Sequence, residues 1–318
     1  NKFWFGNYSI KEKRELHNFL WLSSIDRKDG SSTLRKIISL WNFNNLKYNS
    51  LIWETSIISK RIMSWILNAD IILKNSNFEF RRNFIESVII QTNHLKKNFK
   101  YEIDHQKKIE VITTLILSGL VFKEYEENYV YSLRELEKLI ETFFDNKGFP
   151  LTRSPNDLLN YTKYFLLIKE VIKDAQKYVP DTLENILEKN LECLKRLTTP
   201  TNSLPLFNGS VEDDLTNFYE YINHFKIKVK KQKISAGNIY VLKNKKDVIY
   251  FEAGDPPQKN YSSCYQSGPL SFEYFFDDQK VITNSGFGVN ISKKARFLSR
   301  FTSSQSALCL NDTSIVGF

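Results

Sequence analysis

Apolar residues recur every three or four positions from about residue 11 to about residue 225, with few glycines or prolines among them. This spacing puts the apolar side chains on one face of a helix, and it predicts eight helices. The predicted helices are residues 15–25, 32–45, 53–73, 83–99, 109–122, 133–144, 158–178 and 182–197. Short connections separate them, which indicates stacked helical hairpins in either an open solenoid or a closed toroid. No fixed-period repeat supports the solenoid.

The pattern changes after about residue 226. Residues 225–254 alternate between apolar and polar side chains and are rich in Ile, Val and Tyr, as in strands. Residues 268–286 contain two strand-like runs on either side of a turn-like Asp-Asp-Gln, and residues 296–314 are predicted to form a further strand pair. The fold class predicted from these patterns is therefore a helical part followed by an antiparallel β part.

We expect three segments: a helical domain at residues 1–210, a linker helix at 211–225, and the first part of a β sandwich at 226–318. One boundary signal is local. Ser154-Pro155, with Asp157 just beyond, suits the first turn of a helix. The chain has no initiator Met and no signal-peptide pattern at its start, and it stops within strand-like sequence. It is therefore predicted to be a piece of a longer protein.

Composition narrows the possible partners. Hydrophobic residues make up 42% of the chain, which supplies a core, and Lys plus Arg exceed Asp plus Glu by 9. That excess favours an anionic partner: an acidic polysaccharide, a nucleic acid or a membrane surface. No apolar run reaches the roughly 20 residues needed to span a bilayer. The three cysteines are far apart and form no C-x-x-C pair, so neither a zinc knuckle nor a disulfide framework is indicated.

The stretch QTNHLKKNFKYE, residues 91–102, holds the most distinctive polar group. Asn93 and His94 are adjacent within a helical pattern, several lysines are close, and Asn98 follows one turn after His94. Spacing alone leaves two interpretations open: a solvated helix end, or a site that holds a negatively charged substrate.

Several stretches, in the same order along the chain, resemble the heparinase II/III family of polysaccharide lyases. The stretches are FLWLSSIDRKDG, LIWETSIISKRIMSWILNADIIL, TNHLKKNF, GFPLTRSPNDLL, LPLFNGS, GPLSFEYFFDDQKVITNSG and FTSSQSALCLNDTS. The resemblance implies an α+β multidomain protein with an incomplete (α/α) toroid, an antiparallel β sandwich and a cleft for an acidic polysaccharide. It also implies a bacterial protein of the periplasm or cell envelope.

The chemistry that the resemblance implies is β-elimination at uronic acid residues. One group must neutralise the C5 carboxylate, a base must take the neighbouring proton, and an acid must protonate the departing oxygen. Asn93 and His94 match the pair that holds the carboxylate in the family. Arg153 matches a basic loop position that faces the cleft, and a guanidinium can bind carboxylate or sulfate with two hydrogen bonds. Asn98, which could orient His94, and Asn208 complete the helical candidates for substrate binding.

The proton-transfer residues of the family are replaced. Where many members have Tyr-His after the Ser-Pro, this chain has Asp157 and Leu158, and Tyr161 lies one turn beyond. We therefore predict that tyrosines elsewhere supply the base and the acid. The candidates are Tyr161, Tyr164, Tyr261 and Tyr265, and of these Tyr161 and Tyr265 are assigned as catalytic.

The β part departs from the family too. The family has two His positions before SFE, one for catalysis and one for a structural metal, and here they hold Cys264 and Gln266. Asn284 replaces a metal-binding Asp, and Gln305 replaces another His. Carboxamides are poor zinc ligands, so we predict that the metal has been lost and that no cofactor is bound, or that a neutral hydrogen-bond network took its place. Gln266 is instead predicted to bind substrate.

Three functions are compatible with these observations. The first is a divergent lyase acting on an acidic polysaccharide, and the second is a binding or scaffold protein of the envelope that has lost catalysis. The third is a nucleic-acid-binding protein that uses the basic clusters at 228–233 and 243–247. These clusters fall at predicted strand starts and at a hairpin turn, where lysines also protect sheet edges. We therefore expect no nucleic-acid partner.

Overall fold

The computed structural model describes residues 4, 6–27, 30–225, 227, 229, 236–311 and 313–317. Contacts within the chain divide it into two compact units. The first unit comprises residues 1–139 and 170–178, and the second comprises residues 140–169 and 179–318. The helices are α1 (Ile10–Asn18), α2 (Ser31–Asn45), α3 (Thr55–Leu67), α4 (Ala69–Ile72), α5 (Phe78–Asn98), α6 (His105–Val121), α7 (Glu126–Phe143), α8 (Pro155–Asp174), α9 (Asp181–Leu197), α10 (Thr216–His224) and α11 (Lys293–Leu298).

Each of the eight predicted helices corresponds to observed helix, but two are interrupted. The predicted helix at 15–25 ends at Asn18, because Phe19 adopts a left-handed conformation with φ 59° and a 3-10 turn, Leu20–Ser24, follows. The buried carbonyl of Phe19 accepts a hydrogen bond from Ser64 Oγ at 2.6 Å, a contact that local periodicity cannot reveal. The predicted helix at 53–73 is divided at Asn68 into α3 and α4.

Side-chain caps explain several helix starts. Ser9 forms a reciprocal capping box with Glu12 at α1, and Asn77 caps α5 by accepting from the Phe80 amide at 2.9 Å. The predicted helix start at Ser154-Pro155 is confirmed. Helix α8 begins at Pro155, and Ser154 Oγ accepts from the Asp157 amide at 3.2 Å.

The core of the first unit contains a buried cation, Arg61, with which no carboxylate pairs among the residues that the structure describes. The Arg61 guanidinium lies 4.2 Å from the Trp41 ring centroid and donates to Gln91 Oε1 at 2.6 Å and to the His17 carbonyl at 2.9 Å. Trp41 Nε1 donates to His17 Nδ1 at 3.0 Å. Neutral acceptors and an aromatic face therefore replace the water that Arg61 loses.

The second unit contains a four-stranded antiparallel sheet in the order β1-β2-β3-β4. The strands are β1 (Ile239–Lys243), β2 (Asp247–Glu252), β3 (Phe272–Phe276) and β4 (Gln279–Ile282). Asp277 and Asp278, at φ 50° and 63°, make the tight turn between β3 and β4, as the Asp-Asp-Gln sequence predicts. Along β2, Val248, Tyr250 and Glu252 alternate with half-buried side chains, so a carboxylate lies on the buried face of the sheet.

The predicted strand pair at residues 296–314 is wrong. Its first part lies in α11 and the 3-10 turn Thr302–Ser304, and the described remainder forms an isolated bridge between Leu310 and Thr313. Helix α11 starts because Ser292 Oγ accepts from the Ala295 amide at 3.0 Å. The cap lies before the segment that was predicted to form the strand pair.

Among the described residues, no helix is both long enough and apolar enough to cross a membrane. Of the predicted basic cluster at 228–233, the structure describes only Val229, and its lysines lie outside the described residues. The cluster at 243–247 occupies the β1–β2 hairpin, where Lys246 pairs with Asp277 at 3.6 Å. Its lysines therefore lie at a hairpin turn, as predicted.

Candidate functional site

The predicted Asn93–His94 pair lies on α5 in the first unit. Asn93 is exposed and His94 is half-buried. The His94 ring packs edge-on against Trp53, with 5.0 Å between centroids, and lies 5.9 Å from the Tyr48 ring. The pair is therefore held by a helix and by two aromatic rings while one of its members remains open to solvent.

The electrostatics of His94 favour the neutral imidazole. Burial, and then the charge of Lys97, lower its pKa from the ordinary value. No other residue in the described part of the chain is hydrogen-bonded to either ring nitrogen. A neutral imidazole has one donor and one acceptor, so His94 can offer a hydrogen bond to a carboxylate beside the Asn93 amide.

Asn98 has a local role in the structure. Its Nδ2 donates to the main-chain carbonyl of His94 at 2.8 Å, and not to the imidazole. This bond joins two residues one helical turn apart on α5. Asn98 is exposed. Its predicted part in substrate binding stays a prediction, but the structure contains no contact by which it would orient the His94 ring.

Arg153, in the second unit, occupies a buried position. Its backbone is left-handed with φ 60°, and the residue is 8% exposed. The guanidinium pairs with the Glu252 carboxylate and also donates to the Asp255 and Gly237 carbonyls. The guanidinium also lies against Gly254, where a Cβ would overlap it. Arg153 borders a cavity of about 320 Å³, yet its charge is already paired.

Glu252 is the residue that sequence reasoning missed. Burial raises its pKa, and the neighbouring Arg153 works in the opposite direction. Asn208 lies at the same cluster: its Nδ2 donates to the Arg153 carbonyl at 3.3 Å, and its amide also stabilises the Glu252 carboxylate. The alternation of Val248, Tyr250 and Glu252 along β2 contained the signal, since it puts a lone carboxylate on an apolar face.

The two tyrosines assigned as catalytic are both buried in the second unit, each 1% exposed. Tyr161 packs against Phe143 at 4.7 Å and Phe144 at 5.4 Å between ring centroids. Burial, and then the charge of Glu252, raise the pKa of Tyr265 to about 12. A phenol with that pKa keeps its proton at neutral pH, so Tyr265 suits an acid better than a base.

The positions that the resemblance assigns to metal ligands contain a neutral hydrogen-bond network in the structure. Gln266 accepts from the Gly209 amide at 3.0 Å and donates to the Gly286 and Ser299 carbonyls. Gln305 Nε2 donates to the same Ser299 carbonyl at 2.8 Å.

Asn284 Oδ1, at the third of these positions, accepts from the Ser306 amide at 2.8 Å. These carboxamides, already committed to protein partners, do not fit a zinc ion. The described residues contain no cluster of three His, Cys, Asp or Glu that could hold a metal. Loss of the metal stays a prediction. Gln266 is fully buried, and its predicted contact with substrate stays a prediction too.

The structure thus brings together one group of predicted residues in the second unit, Arg153, Asn208 and Tyr265, around the unpredicted Glu252. The other group, Asn93 and His94, lies in the first unit beside Tyr48 and Trp53. No sequence signal singled out Tyr48, because it lies in a connection between two helices.

Comparison with known proteins supports the resemblance. Residues 229–318 match the family model described as heparinase II/III-like, C-terminal. A search of the curated proteins found no matching sequence.

Solved structures match almost the whole chain. A structure of heparinase III is similar with a TM-score of 0.74 at 18% identity, covering 96% of this chain and 55% of that protein. A mutant of the heparan sulfate lyase HepC from Pedobacter heparinus is similar with a TM-score of 0.74 at 17% identity, covering 98% and 56%. HepC itself gives 0.69 at 16% identity, covering 99% and 56%. The chain therefore spans a little over half the length of these proteins, and the predicted fold class is confirmed.

Proposed function

The chain is heparinase II/III-like in its C-terminal domain and in its fold, and on that premise we propose that the full-length protein cleaves an acidic polysaccharide by β-elimination. The substrate would contain uronic acid residues. The C5–H bond breaks as a base takes the proton, its electrons form a C4–C5 double bond, and the C4–O bond breaks. The departing oxygen takes a proton from an acid.

The observation that carries the proposal is the Asn93–His94 pair. Asn93 is exposed, and His94 has a lowered pKa and an imidazole to which no described residue is hydrogen-bonded. In the proposed complex, the amide and the neutral imidazole donate hydrogen bonds to the uronate carboxylate. These bonds strengthen as negative charge moves from C5 onto the carboxylate, which lowers the barrier to proton removal. The excess of 9 basic residues favours the approach of a polyanion.

Tyrosines are proposed as the groups that move protons. Tyr161 and Tyr265 are buried, so either phenol would have to become accessible to reach the substrate. Tyr261 lines the cavity beside Arg153, but its hydroxyl donates to the Thr142 carbonyl at 2.8 Å. Replacement of each tyrosine by Phe, which keeps the ring and removes the proton, tests these assignments.

The burial of Tyr161 and Tyr265 favours a second function. If no tyrosine reaches the substrate, the protein would bind an acidic polysaccharide without cleaving it, as a scaffold or binding protein of the bacterial envelope. The periplasm or envelope belongs to the proposal in both cases, and fractionation of the native cells would test it. Nucleic-acid binding has no such observation in its favour.

An elimination assay on the full-length protein tests the proposal. Heparan sulfate, hyaluronan, chondroitin and alginate are supplied separately, and the ultraviolet absorbance of the unsaturated uronate is followed. We expect absorbance to grow with at least one polymer, and both Asn93→Ala and His94→Ala to abolish the growth. His105→Ala is the control, because His105 is also a half-buried histidine of the first unit with a lowered pKa.

The outcomes separate the functions. No product from any polymer, together with measurable binding that Asn93→Ala weakens, would replace the lyase with the binding protein. Product formation that survives both Asn93→Ala and His94→Ala would leave a lyase but remove this pair from the site. Binding that DNA displaces as readily as a uronate polymer would favour the nucleic-acid interpretation.

A further inference from the structure

Tyr48 is an exposed aromatic ring beside the proposed site. It lies in the connection between α2 and α3, and it is 70% exposed. Its ring centroid lies 5.9 Å from the His94 ring and 6.3 Å from the Trp53 ring. Trp53 is itself buried and fixed, since its Nε1 donates to the Asn45 carbonyl at 3.0 Å. Tyr48 therefore contacts two neighbouring rings at tilted angles while most of its surface faces solvent.

Exposure alone would not distinguish Tyr48. Phe43, Tyr101 and Tyr178 are at least as exposed, and single exposed aromatic residues are normal on protein surfaces. Tyr48 differs in its neighbours. Within the described part of the chain, it is the only one of these rings that contacts His94. Tyr101, with the same exposure of 70%, packs instead under the Lys100 ammonium at 4.7 Å.

We propose that Tyr48 is a stacking platform for a sugar ring of the polymer, next to the uronate held by Asn93 and His94. This inference rests on the proposed function and adds a binding subsite to the same site. A pyranose ring has a face of C–H groups that is weakly positive and apolar, and the face of an aromatic ring is negative. Stacking of the two faces also removes apolar surface from water.

The position of Tyr48 would align the polymer with His94. The ring contact with His94 means that a sugar stacked on Tyr48 lies beside the group that meets the carboxylate, so the polymer is held in register with the reacting residue. Lys97, whose charge lowers the pKa of His94, supplies positive charge close to the same place. Positioning of this kind reduces the freedom that the reacting groups must lose at the transition state.

Stacking and carboxylate binding can be separated, because stacking does not use the carboxylate. The experiment therefore measures the affinity of the full-length protein for heparan sulfate and for the same polymer with its carboxyl groups reduced to alcohols. Binding is followed by the fluorescence of tryptophan and by calorimetry, at fixed ionic strength. The variants are Tyr48→Ala, Tyr48→Phe, Tyr48→Trp, Asn93→Ala and the matched control Tyr101→Ala.

We expect Tyr48→Ala to weaken the binding of both polymers by the same factor, about tenfold. Tyr48→Phe and Tyr48→Trp keep the aromatic face and should retain the affinity, which also shows that the connection folds with a substituted ring. Asn93→Ala should lower the affinity only for the polymer that retains its carboxylates. Tyr101→Ala should change neither affinity.

The platform is overturned if Tyr48→Ala has no more effect than Tyr101→Ala, if Tyr48→Phe loses as much affinity as Tyr48→Ala, or if the unaltered protein binds neither polymer. Failure of the proposed function gives a different result. Either no unsaturated product forms, or Asn93→Ala lowers the affinity for both polymers equally, and in both cases the effect of Tyr48→Ala persists.

Discussion

The two groups of predicted site residues differ in what surrounds them. In the first unit, Asn93 is exposed and His94 presents an imidazole that no described residue is hydrogen-bonded to. In the second unit, Arg153 is paired with Glu252, and Tyr265 beside them is buried with a raised pKa. One group is open to a ligand, and the other is occupied by the protein itself.

The difference shows that a chemically suitable residue is not necessarily an available one. An arginine is a good ligand for carboxylate or sulfate only while its guanidinium is free, and the pairing of Arg153 with Glu252 uses it inside the protein. A buried pair costs desolvation of both charges, and its contacts recover part of that cost. We therefore regard the Arg153–Glu252 pair as structural and the first group as the place where substrate binding should be sought.

The largest effect that would sharpen this comparison is on stability. Glu252→Gln leaves the buried Arg153 charge without its counter-ion, and we expect a loss of about 3 kcal/mol or more in the free energy of unfolding, measured by denaturant titration. The control is Glu135→Gln, whose partner Lys138 lies 2.7 Å away in an exposed pair, and which should cost less than about 1 kcal/mol. Equal costs for the two variants would mean that burial of the Arg153 pair has no energetic consequence.

His17 lies in the first unit, like the open pair, but it is buried. It therefore tests whether burial alone makes a polar residue part of the structure. Burial, and then the charge of Arg61, lower its pKa from 6.5 to about 4. The unfolded chain then binds a proton that the folded chain refuses, so this contribution is complete above pH 6.5 and is lost as the pH falls to about 4. The loss should reach about 3 kcal/mol.

Denaturant titration between pH 4 and 7 measures this loss, and His17→Gln provides the comparison. Glutamine can accept the Trp41 indole hydrogen bond but does not titrate, so the pH dependence should flatten by about 1.4 kcal/mol per pH unit at its steepest. An unchanged slope in His17→Gln would show that His17 titrates normally.

A smaller effect is expected at the open pair. Asn93→Ala should change the free energy of unfolding by no more than about 0.5 kcal/mol, because an exposed side chain contributes little to stability. The same titration measures it, and the loss of elimination or binding should occur in a protein that is as stable as the parent. A cost above about 1.5 kcal/mol would place Asn93 with the structural residues.

The smallest expected effect is none. Gln266, Asn284 and Gln305 are hydrogen-bonded to protein partners, so a chelator should leave the melting temperature unchanged, and metal analysis should find no equivalent of zinc. Recovery of one equivalent of zinc, with a fall in melting temperature on chelation, would restore a metal site to this domain.

The sequence by itself determined the order of elements. Helical spacing, the Ser154-Pro155 start and the Asp277-Asp278 turn all depend on interactions within a few residues, and each is present where it is predicted. Local signals failed where a distant contact decided the conformation, as at Phe19, whose carbonyl bonds to Ser64. They also failed at residues 296–298, where a helix capped by the preceding Ser292 runs into the segment that was predicted to be a strand.

The sequence also singled out Asn93 and His94 as candidates, because their neighbours on α5 form a recognisable stretch. Only the tertiary structure decided which candidates are open. Arg153 and Glu252 lie 99 residues apart along the chain, so nothing near Arg153 announces the carboxylate that pairs with it. Tyr48 and His94 likewise meet only because separate elements pack together. Residue type is a local property of the chain, whereas availability depends on burial and pairing, which are set by contacts between distant segments.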